Sequence, residues 1–482
     1  MGSLNLRCLQ AALPGDPQAG QPYESTRVSV TVKGHSGENV RVGRHSGEGA
    51  GQGIRALRHR NFRLFLGGQV ISLAGTWMQQ VALSWLVYRL TRSPFLLGLV
   101  GFAGQLPSLL LAPLAGVWAD RADRRRIVIG TQVLAMVQAL VLSALVLTGR
   151  VTVAHILVLS VFLGLVNGVD VPTRQAFLVE MVRGRDDLAN AIALNSSVFN
   201  AARLVGPAVA GFMIGLVGEG VVFLLNGLSY IAVIAALVAM RIDPRPPGSQ
   251  PRQPVLRELK EGVRYAFGFA PIRSLLLLIG LVSLMGVPFT VLMPVFATDV
   301  LHGGAHTLGL LISSLGMGAL GGALLLAARR SVRGLGRVIL AAVILFGLSL
   351  VGFGLSRNEW LSMALLVAAG LGMMVHMASS NTILQTIVDE DKRGRVMSFY
   401  AMAFMGSVPL GSLLSGALAA RIGAPATVIL GGIACLLGAA GFARVLPGLR
   451  AQIRPIYARL GVIPEVAAGL QTAAELSAPP RD

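Results

Sequence analysis

Apolar segments long enough to cross a lipid bilayer recur along most of the chain, and they constrain its fold more than any other feature. A helix needs roughly 20 apolar residues to span the hydrocarbon core, where only helices and closed barrels satisfy their backbone hydrogen bonds. Charged or turn-forming residues separate the segments. The pattern predicts twelve transmembrane helices, at about residues 62–88, 94–119, 127–147, 152–173, 189–217, 220–240, 272–298, 306–328, 338–355, 360–384, 396–420 and 425–446.

The composition indicates a protein surrounded by lipid. Only 13% of the residues are charged and 54% are hydrophobic, whereas roughly a quarter of a soluble domain is charged. The net charge of +19 would suit a nucleic-acid binder, but the cations lie in short gaps between apolar segments rather than on a soluble basic face. We therefore expect an all-α membrane protein in a lipid bilayer, with no nucleic-acid partner.

The distribution of lysine and arginine predicts the orientation, because cytoplasmic loops carry an excess of these residues. With the amino terminus inside, nearly all of them fall in the tails and the inner loops. The outer loops carry Arg89, Arg92, Arg150, Arg357 and Arg421, and Arg203 lies within a span. We expect a multi-pass protein of a bacterial inner membrane with both termini in the cytoplasm.

Shifts in composition divide the chain into five regions. Residues 1–53 lack an apolar stretch and are expected to form a disordered cytoplasmic tail. Residues 54–240 are expected to form an amino-terminal six-helix bundle, and residues 272–446 a carboxyl-terminal one. Residues 241–271 begin with a proline-rich segment and are predicted to continue as an amphipathic surface helix, which makes them a cytoplasmic linker. Residues 447–482 are expected to form a second cytoplasmic tail.

The two predicted bundles also resemble each other weakly in sequence. The Leu-Gly-Leu run at residues 97–99, near the start of the second span, recurs at residues 308–310 in the eighth. In this register the basic loop at 121–126 corresponds to the loop at 329–337. Parallel six-helix repeats of this kind are a transporter architecture, in which the substrate site lies between the halves near the membrane midplane.

The loop after the second span has glycine, aspartate and arginine at intervals of four residues: Gly116, Asp120 and Arg124. Glycine permits close helix packing, and an aspartate at a helix terminus can pair with a nearby arginine. The motif resembles the signature of the major facilitator superfamily. That resemblance implies a gating relay of Asp120, Arg121, Arg124 and an acid at the end of the fourth helix, where Asp170 stands. The alternative is that these are ordinary charges of an inner loop.

The fifth span contains Gly206, Pro207 and Gly211. The glycines permit close packing, and the proline removes a backbone donor and is expected to bend the helix. The element resembles the Gly-Pro element of major facilitator antiporters, which is a feature of exporters more than of importers. Together with residues 172–177 and 188–195, it resembles the branch that contains macrolide-efflux and enterobactin-export proteins.

Five polar residues of the first span fall on one helical face: Gln69, Ser72, Thr76, Gln80 and Ser84. A polar stripe on an apolar span must face a cavity or a partner helix rather than lipid. We interpret this α1 stripe as the lining of a substrate cavity, with hydrogen bonding between helices as the alternative.

Two ionisable side chains lie deep within spans, where such groups are costly and usually functional. Arg203 shares a helical face with Asn200. It would either attract an anionic or carbonyl-rich substrate or pair with backbone carbonyl groups. His376 would either carry protons or serve a structural role. No acid falls near the middle of a span, which favours neutral or anionic substrates over cations.

These features predict a secondary active transporter that exports a small neutral or anionic organic molecule, drug-like or siderophore-like, by alternating access. Protons are the candidate counter-ion, although residues 157–168 lack the arginine of typical proton-coupled members. The alternatives are an uptake carrier or lipid flippase of the same fold and, in a different class, a non-transporting sensor or scaffold. We expect a monomer that is not an enzyme and has no cofactor or metal site.

Overall fold

The computed structural model describes residues 31–33, 39–41, 55–119, 122–182, 184–241, 264–329 and 331–459. The chain divides into two compact units, Met1–Gly53 and Ile54–Asp482. In the first unit, strands β1 (Thr31–Lys33) and β2 (Asn39–Arg41) pair antiparallel. The disordered tail predicted for residues 1–53 stays a prediction. The rest of residues 1–53 lies outside the described part of the chain.

The second unit is built from helices. Those long and apolar enough to cross a membrane number 11 within the described residues. They are α1 (Arg60–Thr91), α2 (Pro94–Ala119), α3 (Arg124–Leu147), α4 (Val153–Leu178), α5 (Arg185–Ala239), α6 (Ala270–Val300), α7 (Ala305–Ala327), α8 (Leu335–Leu355), α9 (Glu359–Ile387), α10 (Lys392–Ile422) and α11 (Ala424–Arg459). Short 3-10 turns lie at Arg55–Arg58 and Val179–Met181.

One of these helices accounts for the difference between 11 and the predicted twelve. Helix α5 contains 55 residues, which corresponds to about 80 Å of helix, while the hydrocarbon core is only about 30 Å thick. Its backbone is non-helical at Gly218, where φ is 79°, a value that favours glycine. The helix is therefore long enough for two crossings joined at Gly218, near the predicted boundary between the fifth and sixth spans.

Hydrogen bonds from side chains fix where several helices begin. Asp123 accepts a hydrogen bond from the backbone N–H of Arg126 at the start of α3. Thr152 does the same for α4 and Asn358 for α9. Such caps satisfy backbone donors that have no partner within the first helical turn.

The helices pack into two halves, as predicted. In the amino-terminal half α5 packs against α1 and α3, and α2 and α3 pack against α4. In the carboxyl-terminal half α9 packs against α7 and α8, and α8 packs against α11. The halves meet where α5 contacts α7 and where α2 contacts α10. The all-α fold class is confirmed, and many large apolar side chains, such as Leu110 and Leu216, remain exposed as expected of a surface that faces lipid.

The carboxyl-terminal half departs from the predicted boundaries at both of its ends. Helix α11 continues past residue 446 to Arg459, through Pro447 and Pro455, because its apolar face continues at helical spacing. The predicted amphipathic linker helix falls on residues 242–263, which lie outside the described residues. Residues 264–268 are helical, and Tyr265 donates a hydrogen bond from Oη to Asp389 (3.2 Å).

Candidate functional site

A cavity of about 500 Å³ lies between the two halves of the helical unit. Sites for small organic molecules commonly measure roughly 300–1,000 Å³, so the central cavity is of suitable size. The amino-terminal half supplies most of its polar lining: Thr76, Gln79, Gln80, Ser84, Gln105, Ser160, Asn167, Arg203 and Tyr230. The carboxyl-terminal half supplies mainly small or apolar residues, together with the hydroxyl groups of two residues: Val291, Ile312, Leu315, Gly316, Ala319, Met373 and Val408, with Thr290 and Ser412. None of the described lining residues is acidic.

The structure divides the predicted α1 stripe into two parts. Thr76 and Gln80 line the central cavity. Ser72 is buried, and its carbonyl oxygen accepts a hydrogen bond from the Thr76 hydroxyl (2.9 Å). Gln69 is buried, and its Oε1 accepts a hydrogen bond from Arg174 (3.1 Å). Thr76 and Gln80 thus lie at the cavity and Gln69 bonds to another helix, while a role of the stripe in substrate binding stays a prediction.

Gln79, next to the stripe, is a polar residue that the sequence analysis missed. It lines the central cavity and is 4% exposed. Its Nε2 donates to Gln138 Oε1 (3.1 Å), and its Oε1 accepts from Asn226 Nδ2 (2.7 Å). This amide network joins α1, α3 and α5 behind the cavity wall. In the sequence these residues are visible only as three amide side chains within apolar spans. Which of them pair is clear only from the fold.

Arg203 lines the central cavity. Among the described residues, it has no hydrogen bond or ion pair, so the predicted pairing with backbone carbonyl groups is not found there. Asn200, predicted to share its role, is not among the lining residues and donates its Nδ2 hydrogen to the Ser196 carbonyl oxygen (2.8 Å). Arg203 is therefore the cation that the central cavity offers to a ligand.

The glycines of α5 mediate close helix contacts. A Cβ atom at Gly206 would lie 2.7 Å from Trp77 Cβ on α1. A Cβ atom at Gly211 would lie 2.6 Å from the Ala305 carbonyl oxygen and 3.0 Å from Gly309 Cα on α7. Pro207 lies within continuous helix, while the non-helical position of α5 is Gly218. The bend predicted at Pro207 stays a prediction, whereas close packing at both glycines is present.

Part of the predicted gating relay lies outside the described residues, namely Asp120 and Arg121. Gly116 belongs to α2. Arg124 forms a 2.8 Å ion pair with Glu180, in the 3-10 turn after α4. The acid that Arg124 contacts at the end of the fourth span is thus Glu180 rather than the predicted Asp170. The reason is distance, since ten helical residues separate the two acids by about 15 Å.

Asp170 instead forms a separate buried charge cluster within the amino-terminal half. Its Oδ1 accepts hydrogen bonds from Thr131 (2.7 Å) and Gln132 (2.9 Å) on α3. Its Oδ2 lies 3.1 Å from Arg174 Nη2, and Arg174 in turn donates to Gln69. The cluster therefore ties α4 to α3 and α1. Both oxygens of the carboxylate have partners, as a buried charge requires, whereas Nε2 of Gln69 is buried without a hydrogen-bond partner among the described residues.

His376 is fully buried on α9 and is not among the residues that line the central cavity. Its Nδ1 lies 3.5 Å from the Ser380 hydroxyl oxygen, and its Nε2 has no partner among the described residues. This position favours the structural alternative over the proton-carrying one.

The two halves touch closely at the end of the molecule that carries the loop between α1 and α2. Gly98 on α2 faces Gly416 on α10, and a Cβ atom on Gly98 would lie 2.9 Å from Gly416 Cα. The Gly211–Gly309 contact is its counterpart between α5 and α7. At the same end Asp299 accepts a short hydrogen bond from the Tyr88 hydroxyl and lies 3.3 Å from Arg92 Nη1. These contacts close one end of the space between the halves.

Comparison of the sequence with protein families and with individual proteins shows which proteins this chain is similar to. The model of the family described as "Transmembrane secretion effector" matches residues 52–457. The Staphyloferrin A transporter of Staphylococcus aureus is 25% identical over 78% of this chain and 93% of its own. The multidrug efflux pump Tap of Mycolicibacterium fortuitum is 28% identical over 74% and 88%, respectively. Macrolide efflux protein A of Streptococcus pyogenes is 24% identical over 76% and 91%.

Solved structures share the fold. An inward-facing bacterial homologue of the iron transporter ferroportin superposes with a TM-score of 0.61 at 15% identity, covering 80% of this chain and 98% of that one. An inward-facing bacterial homologue of the human lysosomal transporter Spinster superposes with a TM-score of 0.60 at 14% identity, covering 80% and 96%. At these identities the likeness shows the architecture alone.

Proposed function

The chain belongs to the transmembrane secretion effector family of major facilitator transporters, and from this premise we propose that it exports amphiphilic organic molecules that are neutral or anionic. The observation that carries this proposal is the central cavity. It has one unpaired cation, Arg203, hydrogen-bonding groups on one wall, apolar groups on the other, and no acid among its described lining residues.

The charge preference follows from the cost of moving ions out of water. A cation that enters an apolar cavity needs a counter-charge, and burying an unpaired charge is expensive. The described lining provides no carboxylate for it. A carboxylate or phosphate group, in contrast, would be paired by the guanidinium of Arg203, which can form two parallel hydrogen bonds to such groups.

The amphiphilic character follows from the different walls of the cavity. Gln80 and Ser160 lie on the amino-terminal wall, and the Ser160 hydroxyl is buried without a partner among the described residues. Such groups suit the oxygen atoms of a ligand. Val291, Ile312 and Met373 on the opposite wall suit its hydrocarbon parts. The names of the relatives, a staphyloferrin A transporter and a macrolide efflux protein, are consistent with oxygen-rich cargo.

Transport by alternating access requires the two halves to separate at one end while they close at the other. The glycine contacts of α2 with α10 and of α5 with α7 support this mechanism, because small residues allow two helix surfaces to meet and part. In the proposed orientation both termini lie in the cytoplasm of a bacterial cell, and the closed end faces outward. We also propose protons as the counter-ion and a monomer as the functional unit.

Export is preferred over the alternatives for specific reasons. The family and the relatives named as efflux pumps support export over uptake. A lipid flippase would use the same cavity, and it would be revealed by phospholipid movement in the assay below. A sensor or scaffold would gain nothing from an unpaired cation in a cavity between two halves, because that charge lowers stability unless a ligand pairs with it.

The test measures efflux from proteoliposomes that contain the wild type, Arg203→Gln or Arg203→Lys. Each is assayed with anionic, neutral and ethidium-type cationic fluorescent probes. Arg203→Gln should reduce efflux of the anionic probe about tenfold, the usual value of a hydrogen bond to a charged group, and should leave the neutral probe nearly unchanged. Arg203→Lys should recover part of the loss. Arg357→Gln, which removes a charge from an outer loop, serves as the control.

Strong efflux of the cation that is indifferent to Arg203 would overturn the charge preference. It would indicate recognition by an aromatic face, for which Trp77 in the cavity wall is available. The direction is tested in cells. Deletion of the gene should raise accumulation of an exported probe, and impaired uptake of a nutrient would contradict export.

A further inference from the structure

A second cavity, of about 370 Å³, lies within the carboxyl-terminal half, at the end that carries the basic loops. It is enclosed by the start of α6, the segment between α7 and α8, the end of α9 and the extension of α11. We call it the basal cavity. Its floor is apolar and is formed mainly by Leu275, Ile383, Phe442, Leu446, Leu449 and Ile453. It shares no lining residue with the central cavity.

The rim of the basal cavity is strongly basic. Arg333, Arg337, Arg450 and Arg454 line it, and no described lining residue is acidic. Nη2 of Arg450 is buried and has no hydrogen-bond partner within the described residues. A buried guanidinium nitrogen without a partner is costly. An anionic group bound directly above the apolar floor would therefore pair with Arg450.

Two parts of the fold carry these arginines, namely the segment between α7 and α8 and the extension of α11. On one side Arg329 donates to the carbonyl oxygen of Ser331 (3.1 Å) and to that of Arg333, which folds the segment between α7 and α8 around its guanidinium group. Gly334 then has a positive φ of 73° and starts α8. Of the four rim arginines, Arg450 is half-buried, and Arg333, Arg337 and Arg454 are exposed.

On the other side the length of α11 sets the depth of the site. Its 36 residues correspond to about 54 Å of helix, whereas about 20 residues cross the hydrocarbon core. Helix α11 begins at Ala424, directly after the last outer loop of the proposed orientation. Arg450 and Arg454 therefore lie beyond the core, at the level of the inner headgroups, while Phe442 and Leu446 lie at the edge of the hydrocarbon.

We propose that the basal cavity binds an anionic phospholipid of the cytoplasmic leaflet. The phosphate pairs with Arg450 and Arg454, and one acyl chain occupies the apolar floor. Basic pockets between helices on this side of a membrane attract such headgroups. A free inorganic anion would leave the floor unfilled, and a zwitterionic lipid would bring its cationic headgroup next to the basic rim. The inference rests on the proposed orientation and not on the identity of the exported substrate.

The test is native mass spectrometry of the full chain, titrated with phosphatidylglycerol or phosphatidylcholine. Arg450→Gln/Arg454→Gln removes two rim charges. Arg444→Gln/Arg459→Gln removes two charges from the same helix outside the cavity and is the matched control. Each arginine near the surface contributes about fivefold to binding of an anionic lipid, so the rim variant should bind phosphatidylglycerol about 30-fold more weakly. The control should bind within about threefold of the wild type.

A second arm separates the lipid from a free anion. Inorganic phosphate at the same concentration should not raise the melting temperature of the wild type, whereas phosphatidylglycerol should. Equal binding of phosphatidylcholine, equal stabilisation by inorganic phosphate, or equal losses in the rim and control variants would each overturn the proposal. Because binding is read without transport, failure here would leave the proposed export function untouched.

Discussion

The two halves share an architecture but hold their charges differently. In the amino-terminal half a buried aspartate, Asp170, pairs with Arg174, and Arg124 pairs with Glu180, each within well-packed surroundings. In the carboxyl-terminal half the ion pairs among the described residues join Lys392 to Asp389 and Arg393 to Glu390, at distances near 4 Å on exposed side chains. Tight charge pairing between spans is thus concentrated in one half.

The interior of the carboxyl-terminal half is apolar and aromatic instead. Phe289 packs edge-on against Phe346 and Phe353, and Phe353 stacks on Phe296. In the central cavity the same half contributes the apolar wall, and the amino-terminal half contributes Arg203 and the amides. We interpret the difference as two separate roles. The amino-terminal half would bind the substrate and change conformation, and the carboxyl-terminal half would form the apolar surface against which it moves.

The largest effect should come from Asp170→Asn. An amide offers one oxygen where the carboxylate offers two, so its NH₂ group must face either Arg174 or the donors of Thr131 and Gln132. Breaking a buried pair costs about 3–5 kcal/mol. We expect a free energy of unfolding lower by about 3 kcal/mol and transport near background. Asp389→Asn, at an exposed acid of the other half, is the control. Near-wild-type melting and transport of Asp170→Asn would remove the contrast between the halves.

The next largest effect is expected at the glycine contact between the halves, where Gly98 faces Gly416. A Cβ atom at Gly98 would meet the Ser412 carbonyl oxygen and lie 2.9 Å from Gly416 Cα. Because both neighbours are backbone, Gly98→Ala should force the halves apart at this end and lower transport about tenfold. Gly215→Ala is the control, since a Cβ atom there meets nothing within 4 Å.

A cysteine in the cavity wall tests this mechanism directly. In a Val291→Cys background, a membrane-impermeant thiol reagent added outside should label Gly98→Ala faster than the parent. Equal labelling would show that these glycines do not hold the outer end closed.

A smaller effect is expected from the pair of Arg124 and Glu180, which lies at the inner end in the proposed orientation. The side chains of Arg124 and Glu180 are mostly buried, so Arg124→Gln should lower transport about fivefold, which corresponds to a coupling of about 1 kcal/mol. Arg393→Gln, at an exposed pair of the carboxyl-terminal half, should change it less than twofold. Measuring both in proteoliposomes at equal protein density compares the halves directly. Equal losses would mean that the inner ends of both halves contribute equally to gating.

Much of the fold could be predicted, because the lengths of the apolar segments and the turn residues between them can be read directly along the sequence. The superfamily and export-type transport followed from Gly116, Asp120, Arg124 and the Gly-Pro element, and the family match confirms both. The repeated Leu-Gly-Leu at 97–99 and 308–310 marked the two glycines at which the halves touch. Their partners, Gly416 and Gly211, became clear only once the helices were packed, because contacts across the halves leave no periodic signal.

The candidate site was predicted less completely, and the misses have a common cause. The sequence places an acid near the end of the fourth span but does not show which cation it meets, so it predicts a relay of Asp170 with Arg124, whereas Asp170 pairs with Arg174 one turn away. Gln79 was passed over because it lies about 100° around α1 from Gln80. The structure shows that both reach the central cavity. Side-chain pairing depends on helix rotation and depth, which one sequence does not determine.

The smallest effect is expected from His376 on α9. It is fully buried and does not line the central cavity, and its one hydrogen-bond contact among the described residues is with Ser380, 3.5 Å from Nδ1. A proton carrier must exchange protons with solvent in at least one state, and charging an isolated buried imidazole is costly. We therefore expect His376→Gln to change transport less than twofold. The dependence on an imposed pH gradient, measured in proteoliposomes between about pH 5.5 and 8, should match that of the wild type. Loss of gradient dependence with intact exchange at equal pH would instead make His376 the coupling residue, and the carboxyl-terminal half would then take part in energy transduction.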